Sequence, residues 1–334
     1  MKRKTPLIKA MLFGLCLLSG SVNAASFTEI TWCVFDVIGT NGPSKEMVDE
    51  YKVAALRWNV KLNTKYYTDD QEAMKQFDAG ICDLVNLPDF RARKYNHFTG
   101  SISAVASIPS YKHMGTIIKS LASPGAEKVM VNGDYEVYGI FLIGGVHGFV
   151  RDRSWVTPEQ MEGKTISILE GVEESDYFNE KTKTIAVKSD LGTVFSNFNN
   201  GVVDATLAPL IVYEGLEMKK GLGGKGGISR HPLSMITMQL IARKSAFPEG
   251  VGQKSRIYAT DYHPKMVKTV KSYEDKVPES YYFDVPMETI YYFDNLFTRA
   301  RKDLTEQGIY NEKMLKLMKK VRCKSYPDRD ECQS

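Results

Sequence analysis

The feature that most restricts the fold is a change of hydrophobic period that repeats between residues 30 and 85. Ile30 to Ile38 alternates as a strand does, Ser44 caps an amphipathic helix read over Met47 to Trp58, and Val60 to Tyr67 returns to strand. Asp69 or Asp70 then caps a helix running to Phe77, and Gly80 to Val85 reads as a third strand. Strand, helix, strand, helix, strand requires crossover connections, so the strands lie parallel in a sheet covered by helices. Such crossovers are right-handed, and ligands of these sheets sit beyond the carboxyl ends of the strands. Those ends are Gly39-Thr40-Asn41 and Asn86 to Asp89, which nominates Thr40, Asn41 and Asn86 as binding residues.

The same scheme starts again in the middle of the chain. Tyr138 to Gly144 is strand-like, and the stretch TPEQMEGKTISILEG, residues 157 to 171, carries its own geometry. Thr157 suits an N-cap, Pro158 the first helical position, and Glu159 and Gln160 the exposed amides of the first turn. Gly163 ends that short helix, and Thr165 to Leu169 is a strand. Ser175 to Lys181 and Leu191 to Asn199 read as helices. Thr184 to Val187 and Gly201 to Leu207, which includes Thr206, read as strands. From Ser280 onward the pattern is helical.

The first 24 residues fit a secretory signal peptide. Lys2, Arg3, Lys4 and Lys9 precede the apolar run Met11 to Leu18, and Val22-Asn23-Ala24 forms a small-residue exit. That segment holds four of the 44 basic residues and none of the 40 acidic ones, so the remainder is formally neutral. The charge balance therefore gives no reason to expect nucleic acid as a partner. No later stretch approaches the ~18 consecutive apolar residues of a membrane helix. A periplasmic chain without a membrane span of its own is expected.

Four cysteines remain after the signal segment, in a compartment that permits disulfides. Cys323 and Cys332 bracket a Pro-containing polar loop, which leaves Cys33 and Cys82 for each other. A zinc site is the rival reading, but no cysteine or histidine pair shows short ligand spacing. Neither a metal nor a cofactor is expected. GLGGKG, residues 221 to 226, matches a dinucleotide fingerprint by letters alone and lacks the strand-turn-helix context. His147, among glycines, and His231, followed by a proline, fall in turns between elements and are further binding candidates. No Gly-x-Ser-x-Gly elbow or His-Glu-x-x-His motif is present, which leaves a periplasmic hydrolase as the weaker rival class.

The succession GIFLIGGVHGFVRDRSWVTPEQMEGKTISIL, NNGVVDATLAP and HPLSMITMQLIARKSAF resembles the solute-binding proteins of tripartite ATP-independent periplasmic (TRAP) transporters. The resemblance implies an α/β, two-lobed periplasmic binding protein fold with a ligand cleft between the lobes and a helical C-terminal segment. It divides the chain into lobe 1 over 25–146 with a return segment at about 233–262, lobe 2 over 147–232, and C-terminal helices with a disulfide-closed tail over 263–334. It also implies a non-enzymatic protein that captures a small polar solute and delivers it to inner-membrane transporter subunits. Sequences of this kind are sometimes labelled efflux or antibiotic-resistance components, so an accessory protein on the same fold is the alternative.

In that family the strand after Gly163 carries an arginine that pairs with the ligand's carboxylate; here the position is Ser167. A hydroxyl does not replace a guanidinium fork. Arg151 and Arg153 are the nearest other cations, and simple carboxylates are expected to bind poorly. Glu170, Glu173, Glu174 and Asp176 crowd the turn after the strand. They either favour a cationic or neutral polar solute or complement the amino end of a helix.

Overall fold

The computed structural model describes residues 26–328 and 330–333, so the signal-peptide reading lies outside the described residues. The first unit runs β1 (Thr28–Phe35), α1 (Lys45–Leu56), β2 (Val60–Tyr67), α2 (Asp70–Asp78) and β3 (Leu84–Pro88). Strand β1 pairs in parallel with both β2 and β3, as crossover connections require. Asp69 caps α2 by accepting from the amides of Gln71 and Glu72. The third strand starts later than its apolar run, because Gly80 takes a left-handed turn and the Asp83 carboxylate accepts the amide of Thr31 at 3.0 Å.

Three short helices and a two-residue strand lead on: α3 (Asp89–Ala92), α4 (Tyr111–Leu121), α5 (Glu127–Met130) and β4 (Val131–Asn132). Then comes β5 (Tyr135–Val150), a 16-residue strand that outruns the expected segment at both ends. Its glycines look like a break in sequence. In the fold, Gly144 adopts a φ of +136° beside a register shift in the ladder, and the strand continues.

The second unit is α6 (Pro158–Met161), β6 (Thr165–Leu169), α7 (Glu173–Thr182), β7 (Ile185–Ser189), α8 (Val194–Asn199) and β8 (Ala205–Pro209). Thr157 and Gln160 close a reciprocal capping box on α6, and Gly163 leaves it at a φ of +73°. Strand β6 pairs in parallel with β7 and β8. The chain returns through α9 (Lys219–Leu222), β9 (Gly227–Ser229) and β10 (Ser234–Arg243), the last lying antiparallel between β3 and β5.

The sheet order β2-β1-β3-β10-β5-β8-β6-β7 thus joins two halves through β5. Its earlier residues pair with β10, and Val146 to Val150 pair with β8.

Helix α10 (Val251–Glu274) packs along β5 and runs unbroken through residues 262 and 263, where the return segment and the C-terminal part were expected to divide. Its internal Pro264 hides it from a periodicity reading. Burial of Ala259, Tyr262, Met266 and Val270 outweighs the ~3 kcal/mol that an interior proline costs. The segment from Ser280 opens with β11 (Tyr282–Phe283), which adds to β9, before α11 (Met287–Glu306) and α12 (Glu312–Ser325). Disulfides join Cys33 to Cys82 and Cys323 to Cys332, with Cα separations of 5.8 Å and 5.4 Å.

Candidate functional site

A cavity of about 250 Å³ lies between the two halves of the sheet, at the carboxyl ends of their parallel strands. Phe35 ends β1 and Asp36 follows it, Pro88 ends β3 and Asp89 opens α3, Leu169 ends β6, and Leu207 and Pro209 lie at the end of β8. Strands that run parallel deliver their ends to one edge, so both halves present these residues to a common space. Phe141, Ile143 and Val146 of β5 form its back wall, with Met235 and Met238 of β10 beside them. Helices α7, α8, α10 and α11 contribute Phe178, Phe195, Met266 and Phe297. Six phenylalanines and four methionines therefore face the space, and no lysine, arginine or histidine is among the described residues lining it.

The carboxylates at the wall are already engaged. Asp36 accepts from the Ile38 amide at 2.9 Å, the Ser44 amide at 3.0 Å and the Ser44 hydroxyl. Fully buried Asp89 accepts from the Thr237 amide at 2.7 Å and its hydroxyl at 2.8 Å. Burial pushes its carboxyl up to about 6, against opposing bonds from Ser103 and Thr237. Glu174 receives the Arg93 guanidinium, which reaches Glu173 at 3.6 Å as well.

That last pairing answers the acidic cluster. Arg91 and Arg93, just past β3, extend across to the turn that opens α7 in the other half. Arg91 donates to Asp70 at 2.7 Å and to the Glu170 carbonyl at 3.1 Å. Asp176 pairs with Lys188 at 3.4 Å. Glu173, Glu174 and Asp176 occupy the first turn of α7, where helix-end electrostatics favours them.

Of the residues nominated from sequence, Ser167 lines the cavity; it is buried and shares a 2.8 Å hydrogen bond with Ser189. The others are not on its wall. Thr40 and Asn41 are exposed in the loop beyond β1, because the strand ends earlier than its alternation suggested. Asn86 is a structural linchpin inside β3: it accepts from Trp32 Nε1 at 3.0 Å and the Phe35 amide at 3.2 Å, and donates to the Phe35 carbonyl at 2.7 Å. Buried His147 bonds through Nδ1 to the Ser229 carbonyl at 2.8 Å, and burial pushes its imidazole pKa down. Arg151 donates to the Phe198 carbonyl at 3.1 Å, and Arg153 to that of Ser280 at 2.7 Å. Glu170 and Glu173 stand at the seam just described, Thr206 is buried within β8, and His231 is exposed.

The residues missed, Phe35 and Phe90 above all, adjoin the stretches that were nominated. Strand-end position is the signal that points to them.

The buried Asp89 predicts a pH dependence of stability. A carboxyl whose folded pKa lies above its unfolded value near 4 favours the folded state fully below that value, and the contribution is lost as pH rises through about 6. Asp89 alone should therefore lower unfolding free energy by ~2 kcal/mol between pH 4 and pH 7. Denaturant titrations at the two pH values should show the gap narrowing in Asp89→Asn; an equal gap in both proteins would refute the assignment.

The chain matches the family described as solute-binding protein AdeT 1/2 over residues 40–334. It is 35% identical to the probable solute-binding protein AdeT1 of Acinetobacter baumannii, over 90% of this chain and 98% of that protein. AdeT2 of the same organism is 23% identical over 70% of this chain and 98% of its own length.

Among solved structures, a TRAP periplasmic solute-binding protein from Ralstonia eutropha H16 with bound (S)-2-acetolactate superposes with a TM-score of 0.73 at 11% identity, covering 89% of this chain and 99% of that one. One from Chromohalobacter salexigens with bound D-glucuronate gives 0.67 at 14% identity, covering 87% and 99%. Those structures share the two-lobed fold expected from sequence. With the family matched over nearly its whole length, the chain belongs to the AdeT 1/2 solute-binding proteins.

Proposed function

We propose that the protein captures a small solute in the cavity between its two lobes, in the periplasm, and hands it to a membrane transporter without transforming it chemically. The observation that carries this reading is the origin of the cavity wall: strand ends from both halves of the sheet enclose one space. The family and the structural relatives are binding proteins, and the structural relatives are named as periplasmic. Closure over a solute is an equilibrium between lobe arrangements, displaced by whatever the closed form binds better. The segments at Gly144 to Gly148 and Arg230 to Pro232 are the proposed hinges.

Arg93 supplies a contact that only a closed arrangement permits, because its partners Glu173 and Glu174 lie on the opposite half. Arg93→Ala should shift the protein toward the open form, by about tenfold in the closed-to-open ratio if the pair contributes about 1.4 kcal/mol. Small-angle scattering should record a larger radius of gyration than in the parent. A profile identical to the parent's, with and without solutes that raise the melting temperature, would mean a rigid scaffold instead.

A further inference from the structure

We infer that the solute is an uncharged, largely hydrocarbon or aromatic molecule of one or two rings, and not an organic acid. This rests on the capture reading above and names the substrate class for the same cavity. A carboxylate entering the space would lose its water and find no lysine, arginine or histidine among the described residues on the wall. Arg91 and Arg93 bind the opposite half, and Arg151 and Arg153 bind main-chain carbonyls. An anion would also face Asp36 and Glu174. Burial of a charge without a partner is among the costliest events in a protein interior.

A cation gains little more. The oxygens of Asp36 already accept three donors, Glu174 is paired with Arg93, and Asp89 accepts from the Phe90 amide and from the amide and hydroxyl of Thr237. A sugar would need several free donors and acceptors, whereas the wall offers mainly rings, thioethers and branched aliphatic chains. Ser167, where a guanidinium would stand in an acid binder, already has Ser189 as a partner.

Such a lining is suited to apolar matter. Methionine adapts to irregular shapes, and aromatic edges and faces pack against other rings. The size fits as well: a cavity of roughly 150 Å³ takes benzene, and this one is about 250 Å³.

The test is a charge series on one skeleton: 2-naphthylmethanol, 2-naphthoate and 2-naphthylmethylammonium, titrated calorimetrically into the full secreted protein, with D-glucuronate and orotate alongside. The alcohol should bind, with the carboxylate weaker by about 100-fold or more. Ile236→Trp, on the cavity wall, should abolish binding while leaving the circular-dichroism spectrum unchanged. Ser167→Arg should invert the order between alcohol and carboxylate.

Tightest binding by the ammonium compound, or by any of the three acids, would overturn the uncharged class and leave solute capture standing. Binding of the alcohol that survives Ile236→Trp in a folded variant would place it outside this cavity and overturn the inference. Silence from the whole panel, with no compaction in scattering, would overturn the inference and the capture reading together.

Discussion

Glu136→Ala should lower the free energy of unfolding by about 3–5 kcal/mol, the cost of leaving a buried charge without its partner. Glu136 stands near the start of β5 and meets Arg256 of α10 at 2.5 Å, with both side chains almost wholly buried. The guanidinium also donates to the Val137 carbonyl at 3.2 Å and to Gln253 at 3.1 Å. Glu136→Gln, which keeps an acceptor in place, should cost less. The double variant Glu136→Leu with Arg256→Met should recover much of the loss, since an apolar pair of similar volume is often no worse than a buried ion pair. Urea denaturation of the four proteins measures the cycle. A Glu136→Ala variant within about 1 kcal/mol of the parent would show that the pair contributes little.

The second large effect concerns Cys33 and Cys82. Their bond closes a loop of sequence separation 49, for which the chain-entropy relation gives ~4 kcal/mol of stabilisation at 25 °C. Both sulfurs are buried, so a double alanine variant is a better probe than a reductant. It should unfold at markedly lower denaturant than the parent. The corresponding variant of Cys323 and Cys332, a separation of 9, should lose less, because a shorter loop restrains the unfolded chain less. Peptide mapping without reduction should recover the two bridged pairs. Four free thiols, or bridges between the pairs, would contradict the fold.

How far such features were visible beforehand depended on whether their cause was local. The parallel unit from Thr28 to Pro88, and β6 at Thr165 to Leu169, were legible because caps, turn glycines and alternation lie within a few residues of what they control. Strand β5 was half legible: its glycines weaken the local preference, and pairing on both sides overrides them. Helix α10 was hidden by Pro264 and recovered by burial against a strand more than 100 residues earlier.

The candidate site shows the same division. That Ser167 stands where the resemblance implies an arginine could be read along the chain; that Arg151 and Arg153 donate to main-chain carbonyls is visible only in the fold. The engagement of Glu173 and Glu174 by Arg93 could not, because those residues are about 80 positions apart and only the folded sheet brings them together.

Strand β5 has a mechanical consequence of its own. Its earlier residues are laddered to β10 and its last five to β8, so the two lobes share a length of backbone in place of a loose tether. A tether goes slack when a molecule opens; a strand held on both flanks flexes. If the lobes swing as proposed, the bend falls near Gly144, the one residue of β5 with a left-handed φ, and the ladders to either side resist it. The gap would then behave as a sprung jaw, with a restoring force that acts on every opening whether or not a solute has entered.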